Sequence, residues 1–380
     1  MNAITILACI IAGGGFLCFL IWVKLIGEAS KLRNLKRFRS KNAGVADLLN
    51  YATMVDDGII ACKSGALMAA WVYTGKDNAQ KTEAELNQTS DLLNRALLPL
   101  DDGWMLHVDN VRHEAPRYPE RNRSHFPDTV SAAVDEERRR LFETQGVMYE
   151  GHFVLTVTWL PPLLAERKAV ELMFDDDRKP DSKPRQFSIL LDSFKKNVRA
   201  LEERLSTTLT LHRLQAQAYE REDGITEYYD DFLQHLERCI TGISHPVLLP
   251  SCPNYLDILL GGQEFWGGII PKMGRKFIQV VSIEGFPPMS TPGILAALAE
   301  LDLEYRWSTR FIFLGKQTAL AHISVYRRKW RQKLYGIADI VSGRMSRINQ
   351  EAKDMADDAD DAYAGVQKSD YATGYLSSVI

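Results

Sequence analysis

The chain has 380 residues, of which 46% are hydrophobic and 25% are charged, a composition typical of globular rather than disordered proteins. Its 46 basic and 49 acidic residues leave a formal charge of −3, which excludes a wholly basic nucleic-acid-binding surface and an acidic solvating polymer. The five cysteines include no CxxC pair, so neither a disulfide framework nor a zinc knuckle is expected.

The first predicted element is a membrane-spanning helix. Residues 3–23 carry no charge, and a helix of this length, at 1.5 Å per residue, crosses a bilayer core of about 30 Å. A secretory signal peptide is the alternative, but it needs a basic start and a shorter apolar core, and only Met1 and Asn2 precede this run. We therefore expect a transmembrane anchor over residues 1–23.

A basic stretch follows the predicted anchor and is expected to form a juxtamembrane linker over residues 24–50. The positive-inside rule places this side of the span in the cytoplasm, and with it the bulk of the chain. Anionic lipid headgroups attract such clusters of positive charge. The predicted membrane-surface residues are Lys31, Arg33, Lys36, Arg37 and Arg39.

Residues 51–174 are predicted to form a first αβ block. Thr82 and Glu85 have the capping-box spacing that starts a helix, and residues 152–160 alternate in polarity as half-buried strands do. The predicted elements are a hairpin over 59–73, a helix over 82–98, a strand over 104–108, a helix over 128–143 and a strand over 152–160.

A hinge and helical insert are predicted over 175–275, followed by a second αβ block over 276–380. The insert starts with an acidic and Pro-containing loop at 175–184, and helices are expected over 187–218 and 225–240. The second block is predicted as strand 276–283, helix 291–305, strand 309–314, helices 317–335 and 344–365, and an apolar strand over 374–380. The predicted fold class is therefore α+β, with an N-terminal transmembrane helix and two αβ blocks around a helical insert.

The sequence contains no phosphate-binding loop of the GxxxxGK[ST] type, so no RecA-like P-loop domain is predicted. The nearest segment is Gly315-Lys316-Gln317-Thr318, where the leading glycine position holds Arg310, and we interpret it as an ordinary strand-to-helix turn. The histidines are scattered, and Cys239 with His245 would supply only two metal donors. No catalytic, cofactor-binding or metal-binding residue is therefore predicted.

One basic and aromatic stretch is a candidate binding surface on the helix predicted over 317–335. Such stretches can follow a nucleic-acid backbone while their rings stack on bases, and Trp, Tyr and Arg are also favoured anchors for partner proteins. The alternative is structural, because Tyr326 and Trp330 would share one helix face and pack there. The candidate surface residues are Arg327, Arg328, Lys329, Trp330, Arg331 and Lys333.

Seven segments together resemble one known family. The chain is similar to the amino-terminal half of the TrbE-type conjugal-transfer ATPases, the CagE/TrbE/VirB family of type IV secretion systems, from about Phe38 to its end. The segments are KNAGVADLLNYATMVDDGII (41–60), TEAELNQTSDLLNRAL (82–97), GWMLHVD (103–109), YPERNRSHFPD (118–128), TVTWLPP (156–162), STPGILAALAELDLEYRWSTRFIFL (290–314) and YRRKWRQK (326–333).

The resemblance implies a non-motor region that docks on the inner-membrane complex. In this family the Walker motifs lie in the carboxy-terminal motor half, so ATP and Mg²⁺ are expected only for the full-length proteins and no cofactor is expected here. The chain ends at Ile380, before that motor, and we expect a truncated, split or fragmentary product. The predicted membrane span is a second departure from the family pattern, since a separate small partner often supplies it.

The expected function is membrane docking and assembly of a conjugal-transfer ATPase at the bacterial inner membrane, supporting transfer of DNA or protein across the envelope. The partners implied are inner-membrane type IV secretion components, a separately encoded motor half, and further copies of the chain, up to a hexamer. Two alternatives stay open: a nucleotide-binding ATPase site near Lys316, and a single-stranded-DNA adaptor that uses residues 327–333.

Overall fold

The computed structural model describes residues 44–77, 80–161, 183–221, 223–249, 254–283, 285, 294–334 and 349–380. The strands are β1 Tyr51–Asp56, β2 Ile59–Cys62, β3 Leu67–Thr74, β4 Trp104–Glu114, β5 Tyr149–Trp159, β6 Thr210–Arg213, β7 Ala216–Glu220, β8 Thr226–Asp230, β9 Phe265–Trp266, β10 Lys272–Met273, β11 Lys276–Phe277, β12 Tyr305–Leu314 and β13 Thr373–Val379. The α-helices are α1 Val45–Leu48, α2 Glu83–Leu97, α3 Thr129–Gln145, α4 Lys183–Leu205, α5 Asp231–Thr241, α6 Leu256–Leu260, α7 Lys316–Lys333 and α8 Gln350–Lys368. Short 3₁₀ helices cover Arg121–Arg123 and Ala296–Glu300.

One antiparallel sheet joins both ends of the described chain. Its strand order is β1-β2-β3-β5-β4-β12-β13, and β6 pairs with β3 on the same edge as β2. Strand β12 pairs with β4 over eight registered positions, with Ser308 opposite Asp109, and β13 then closes the edge. The predicted division of the fold into two αβ blocks is therefore wrong: strands from both predicted blocks share one sheet.

The predicted helical insert is also wrong in several places, because it contains strands. Helix α4 ends at Leu205, and β6 and β7 follow where a continuous helix to residue 218 was predicted. The sequence Thr207-Thr208-Leu209-Thr210 after α4 is rich in β-branched residues, which favour strands over helices. Strand β8 similarly occupies the start of the helix predicted over 225–240, so α5 begins only at Asp231.

The prediction of a fold led by a transmembrane helix is not supported. Among the described residues, no helix has both the length and the apolar composition needed to cross a membrane. Helices α4 and α7 are long, but charged residues recur along both, as in amphipathic helices that pack on one side only. The predicted span over 3–23 and the predicted lipid-facing cluster over 31–39 lie outside the described residues.

The elements with strong local signals are confirmed. The capping box of Thr82 and Glu85 forms at the start of α2, and Asp128 caps α3 by accepting hydrogen bonds from Val130 and Ser131. The 59–73 hairpin, the strand over 309–314 and the last strand are present as β2–β3, β12 and β13. Two predictions from the second block are not met: only Lys276–Phe277 is strand within 276–283, and the described residues of 291–305 contain a 3₁₀ turn.

The sheet separates two hydrophobic cores because successive strand residues face opposite sides. On one face, Trp71 and Val157 pack with Phe194 of α4, and Trp104 stacks on that ring at 6.0 Å between ring centres. On the other face, the core is formed by β2, β3 and β5 with α5 and α6. Helix α5 ends over β4 and β12 on this second face, where Arg306 of β12 donates to the Cys239 carbonyl near the helix end.

Candidate functional site

The start of α7 is the segment nearest to a phosphate-binding loop, and a carboxylate already occupies it. Asp102 accepts a hydrogen bond from the Gly315 amide at 2.7 Å through Oδ1 and from the Thr318 hydroxyl at 2.9 Å through Oδ2. A Cβ at Gly315 would overlap this carboxylate, so the glycine allows the close approach. The Lys316 ammonium donates to the Ser369 hydroxyl at 3.1 Å.

These contacts match the interpretation of Gly315–Thr318 as a strand-to-helix turn. A helix start offers unpaired N–H groups to an anion, whether a phosphate or a carboxylate. Here the turn's amide and hydroxyl donate to Asp102, and the lysine is directed to Ser369 rather than towards an open anion position. This turn therefore has the bonding pattern of a capped helix.

A buried polar cluster lies elsewhere, between β4, β12 and α5. Asp109 is 2% exposed and His235 is 4% exposed. Arg306 binds Asp109 Oδ1 through Nε at 2.9 Å and through Nη2 at 2.8 Å, and its Nη1 donates to the Cys239 carbonyl at 3.3 Å. His235 Nε2 lies 3.7 Å from Asp109 Oδ2 and 3.4 Å from Cys239 Sγ.

The periodicities of the strands and of the helix bring these side chains together. On β4, Leu106 and Val108 belong to the first core, so Asp109 faces the other side of the sheet. Arg306 lies on the same side of β12, two positions before Ser308, the residue paired with Asp109. His235 and Cys239 are four residues apart on α5 and so share its sheet-facing side.

The charges within the cluster shift the ionisation of its members. Burial raises the pKa of Asp109, but His235 and the Arg306 guanidinium lower it by more, so the net pKa lies far below the ordinary value. Burial lowers the pKa of His235, whereas the adjacent Cys239 sulfur and Asp109 carboxylate raise it to about 9. Burial is also the main reason that the pKa of nearby Tyr51 is raised.

An open cleft of about 660 Å³ gives access to the edge of this cluster. Cys239 and Arg306 line the cleft, with Arg238 from α5 and with Lys276 and Glu304 from the chain before β12. Lys276 donates to the Gly242 carbonyl at 2.8 Å and lies 3.4 Å from Glu304. Asp109 and His235 are therefore shielded from solvent under α5, whereas Cys239 is open to the solvent in the cleft.

Sequence reasoning missed this cluster. It paired Cys239 with His245, whereas the sulfur lies against His235 one helical turn earlier. The His-x₃-Cys spacing was a signal for this pair, because donors four residues apart share a helix face. Asp109 and Arg306 gave no such signal, since β4 and β12 are far apart in sequence and are brought together only by strand pairing.

The predicted basic surface lies on α7, and two of its arginines are engaged by α8. Arg331 binds Asp360 of α8 through Nη2 at 2.7 Å, and Arg327 also pairs with Asp360. The Arg327 guanidinium lies over the Tyr363 ring at 4.3 Å. The two arginines therefore hold the helix pair together, which leaves a smaller exposed basic surface than the sequence suggests. The exposed cations that remain are Arg328, Lys329 and Lys333.

The aromatic residues of this stretch behave differently from one another. Tyr326 is 58% exposed, so the structural alternative that predicted it to pack is wrong for this ring. Trp330 is half-buried, and the Lys333 ammonium lies 4.5 Å from its ring centre.

Comparison with known proteins identifies the family. The family model for the N-terminal domain of the type IV secretion system ATPase VirB4/TrbE matches residues 58–167. The model for the CagE, TrbE, VirB family, a component of the type IV transporter system, matches residues 220–380. The chain is also 36% identical over 348 residues to a conjugal transfer protein TrbE of Rhizobium radiobacter, covering 91% of this chain and 42% of that protein.

Two proteins of Sinorhizobium fredii (strain NBRC 101917 / NGR234) match the chain in separate regions, and both are described as portions of a probable conjugal transfer protein TrbE. The first portion is 40% identical over 127 residues, covering 33% of this chain and 85% of that protein. The second portion is 37% identical over 193 residues, covering 50% of this chain and 29% of that protein. The chain belongs to the CagE/TrbE/VirB family.

The resemblance to CagE/TrbE/VirB proteins predicted from the sequence is thereby confirmed, and the chain is related to components of type IV transporter systems. It spans 42% of the length of the Rhizobium radiobacter relative. The polar cluster draws on both matched regions: Asp109 lies in the region matched by the N-terminal-domain model, and His235, Cys239 and Arg306 lie in the other.

Proposed function

We propose that this chain is a docking and assembly portion of a conjugal-transfer ATPase, held at the inner face of the bacterial inner membrane by other components of a type IV secretion system. It supports transfer of DNA or protein without itself hydrolysing ATP. A motor half, on the same or another polypeptide, supplies nucleotide turnover, and further copies of the chain assemble with it, up to a hexamer.

The proposal that this chain does not hydrolyse ATP is supported by the start of α7, where Asp102 takes the place that a phosphate would need. Phosphoryl transfer needs a backbone cradle, a lysine and a hydroxyl that are free to receive phosphates and Mg²⁺. At Gly315–Thr318 the amide and the hydroxyl donate to Asp102, and Lys316 donates to Ser369. Family membership supports the type IV aspect of the proposal.

Exposed apolar side chains support the docking role. The three short strands β9, β10 and β11 pair with one another, and the residues in and between them form what we call the apolar lobe: Trp266, Ile269, Ile270 and Phe277. Trp266 is 60% exposed and Phe277 is 71% exposed, on either side of Lys272 in the strand register. Clusters of large exposed apolar residues mark protein–protein contact sites, so we assign the lobe to another secretion component.

The test is recovery of secretion components with the tagged full chain from detergent-solubilised membranes of cells that carry the rest of the transfer system. We expect these components to co-purify with the parent chain, and Trp266→Asp to reduce their recovery by about tenfold or more. Val130→Asp is the matched control, because Val130 is 71% exposed but lies on α3. Recovery that is insensitive to Trp266→Asp but lost in Val130→Asp would contradict the assignment to the lobe.

The DNA-adaptor alternative has less support from the geometry. Asp360 neutralises Arg327 and Arg331, and α8 adds the exposed Asp357, Asp358 and Asp361 along the neighbouring helix. Phosphate binding through the remaining exposed cations would weaken steeply with salt. Salt-sensitive binding of single-stranded DNA that is lost in Arg328→Ala/Lys329→Ala would restore this alternative.

A further inference from the structure

One feature of the buried cluster has no place in the docking role: a single imidazole nitrogen lies close to both a carboxylate and a cysteine sulfur. His235 Nε2 lies 3.7 Å from Asp109 Oδ2 and 3.4 Å from Cys239 Sγ, and the same sulfur is 3.9 Å from Nδ1 of the ring. A nucleophilic Cys-His-Asp arrangement would place the carboxylate at the opposite ring nitrogen, where it orients the base. One proton on Nε2 cannot serve both neighbours at these distances.

We propose that Asp109, His235 and Cys239 bind one divalent metal ion of the zinc class. The three donor atoms lie within 4.8 Å of one another. In tetrahedral zinc sites with bonds of about 2.0–2.3 Å, neighbouring donors are about 3.4–3.6 Å apart. The separations from the His235 nitrogen, 3.4 and 3.7 Å, are close to this spacing, and the Asp109 and Cys239 donor atoms lie within 4.8 Å of each other.

Arg306 binds only one of the two carboxylate oxygens of Asp109 and leaves the other available to a metal ion. Both of its nitrogens that contact Asp109 bind Oδ1, which leaves Oδ2 facing His235. A carboxylate ligand whose other oxygen is hydrogen-bonded is the usual outer-shell arrangement of metal sites. Metal binding takes the Cys239 side chain as thiolate and the imidazole as a neutral ligand, so the thiol proton and the second imidazole proton both leave to water.

The chemistry of the three donors indicates which ion is bound, and the open cleft indicates where its fourth ligand lies. Thiolate and imidazole favour zinc and related transition ions over Mg²⁺ and Ca²⁺, which prefer oxygen ligands. Cys239 lines the open cleft, whereas Asp109 and His235 are buried. A water molecule from the cleft can therefore complete the tetrahedron on the Cys239 side. Such an ion would cross-link β4 to α5, two elements far apart in sequence.

The test is metal content and cobalt spectroscopy of the purified full chain. After dialysis against buffer without chelator, we expect about one zinc per chain, and Co²⁺ in its place should give the near-ultraviolet absorption of a thiolate–cobalt bond. Cys239→Ser should remove that absorption and the bound zinc, while Cys62→Ala, a change at a buried cysteine outside the cluster, should retain both.

Two results would overturn the proposal: zinc below about one-tenth of an equivalent in the parent chain, or a cobalt–thiolate band that survives in Cys239→Ser. If the circular dichroism spectrum shows that Cys239→Ser does not fold, His235→Gln replaces it, and about one equivalent of zinc retained by that variant would overturn the proposal. Because neither readout involves the secretion machine, failure of this proposal would leave the docking proposal standing.

Discussion

At the scale of single residues, Asp102 links two regions of the chain that are separated by 213 positions. Gly315 is the N-cap residue of α7 and has no side chain, so it cannot satisfy the free N–H groups at the helix start. Asp102, just before β4, accepts from one of these groups, the Gly315 amide, and from the Thr318 hydroxyl. The same contact fixes the turn at Gly315–Thr318, the segment whose sequence comes nearest to a phosphate-binding loop.

Asp102→Ala is expected to lower the free energy of unfolding by about 0.5–2 kcal/mol, the range for loss of a helix cap. Asp91→Ala, at an exposed position of α2, should change it by less than about 0.5 kcal/mol. Urea unfolding followed by circular dichroism measures both. An Asp102 variant as stable as the Asp91 variant would show that the carboxylate is not a cap.

A second residue, Asp230, is predicted to make stability depend on pH. It caps α5 by accepting from the Leu233 amide at 2.7 Å, but its other oxygen is buried and has no partner among the described residues. Burial raises the pKa of this carboxyl to about 6, from about 3.9 in an unfolded chain. The folded state thus binds the proton more tightly, so ionised Asp230 destabilises the fold above about pH 6, and protonation relieves this cost as the pH falls towards about 4.

Asp230→Asn keeps the shape and an acceptor for the cap but does not ionise. We therefore expect the stability of this variant relative to the parent to be greater at about pH 7.5 than at about pH 4.5, by on the order of 2 kcal/mol. Paired urea titrations at the two pH values measure this difference, in which contributions from other groups cancel. A difference that does not change with pH would contradict the raised pKa.

Residue-scale features were predictable from the sequence where the partners are close in the chain. Thr82 and Glu85 act over three residues and were found, whereas the helix over 128–143 was predicted without identifying the Asp128 cap that the structure shows. Asp102 with Gly315, and Asp109 with Arg306, depend on strand pairing, so no spacing within the sequence marks them.

At the scale of elements, α4 shows how an amphipathic helix is fixed to the sheet. Phe194 is 0% exposed, and its ring stacks on both Trp104 and Trp159, at 6.0 and 6.2 Å between ring centres. Ile189, five residues earlier on the same helix, is 59% exposed. The helix therefore contributes to stability through the face that packs on the sheet, and substitutions on its exposed face should have little effect on stability.

Phe194→Ala is expected to lower the free energy of unfolding by about 3–5 kcal/mol, because it removes a buried ring and leaves a cavity. Ile189→Ala on the exposed face should cost less than about 0.5 kcal/mol. Denaturant unfolding monitored by tryptophan fluorescence reports directly on the stacked rings. Equal losses in the two variants would mean that α4 does not pack on the sheet as described.

Element boundaries were predicted well where a helix cap or an alternation in polarity marks them. They were predicted poorly where pairing with a distant strand determines the secondary structure. Helix α7 begins and ends within two residues of its predicted bounds. Strands β6, β7 and β8 were predicted as helix, because their short sequences lack a clear period and their hydrogen bonds are made with β3 or with each other. Tertiary pairing overrode local preference at these positions.

At the scale of the whole molecule, one sheet integrates the two regions matched by the family models. Strand β12, from the second region, lies between β4 and β13, and both hydrophobic cores continue across strands of the first region. The predicted two blocks were therefore separate only in sequence. The family itself was predictable from the ordered segments, because a resemblance of this length depends on many residues rather than on one motif.

The central claim of the proposed role is that the chain assembles with an ATP-hydrolysing motor but does not itself hydrolyse ATP. Phosphate release from ATP by the purified full chain, measured with Mg²⁺ and compared with Lys316→Ala, tests that claim most directly. We expect no release above the buffer blank from either protein, since the helix start at Gly315 already holds the Asp102 carboxylate. Phosphate release by the parent chain that Lys316→Ala abolishes would contradict it.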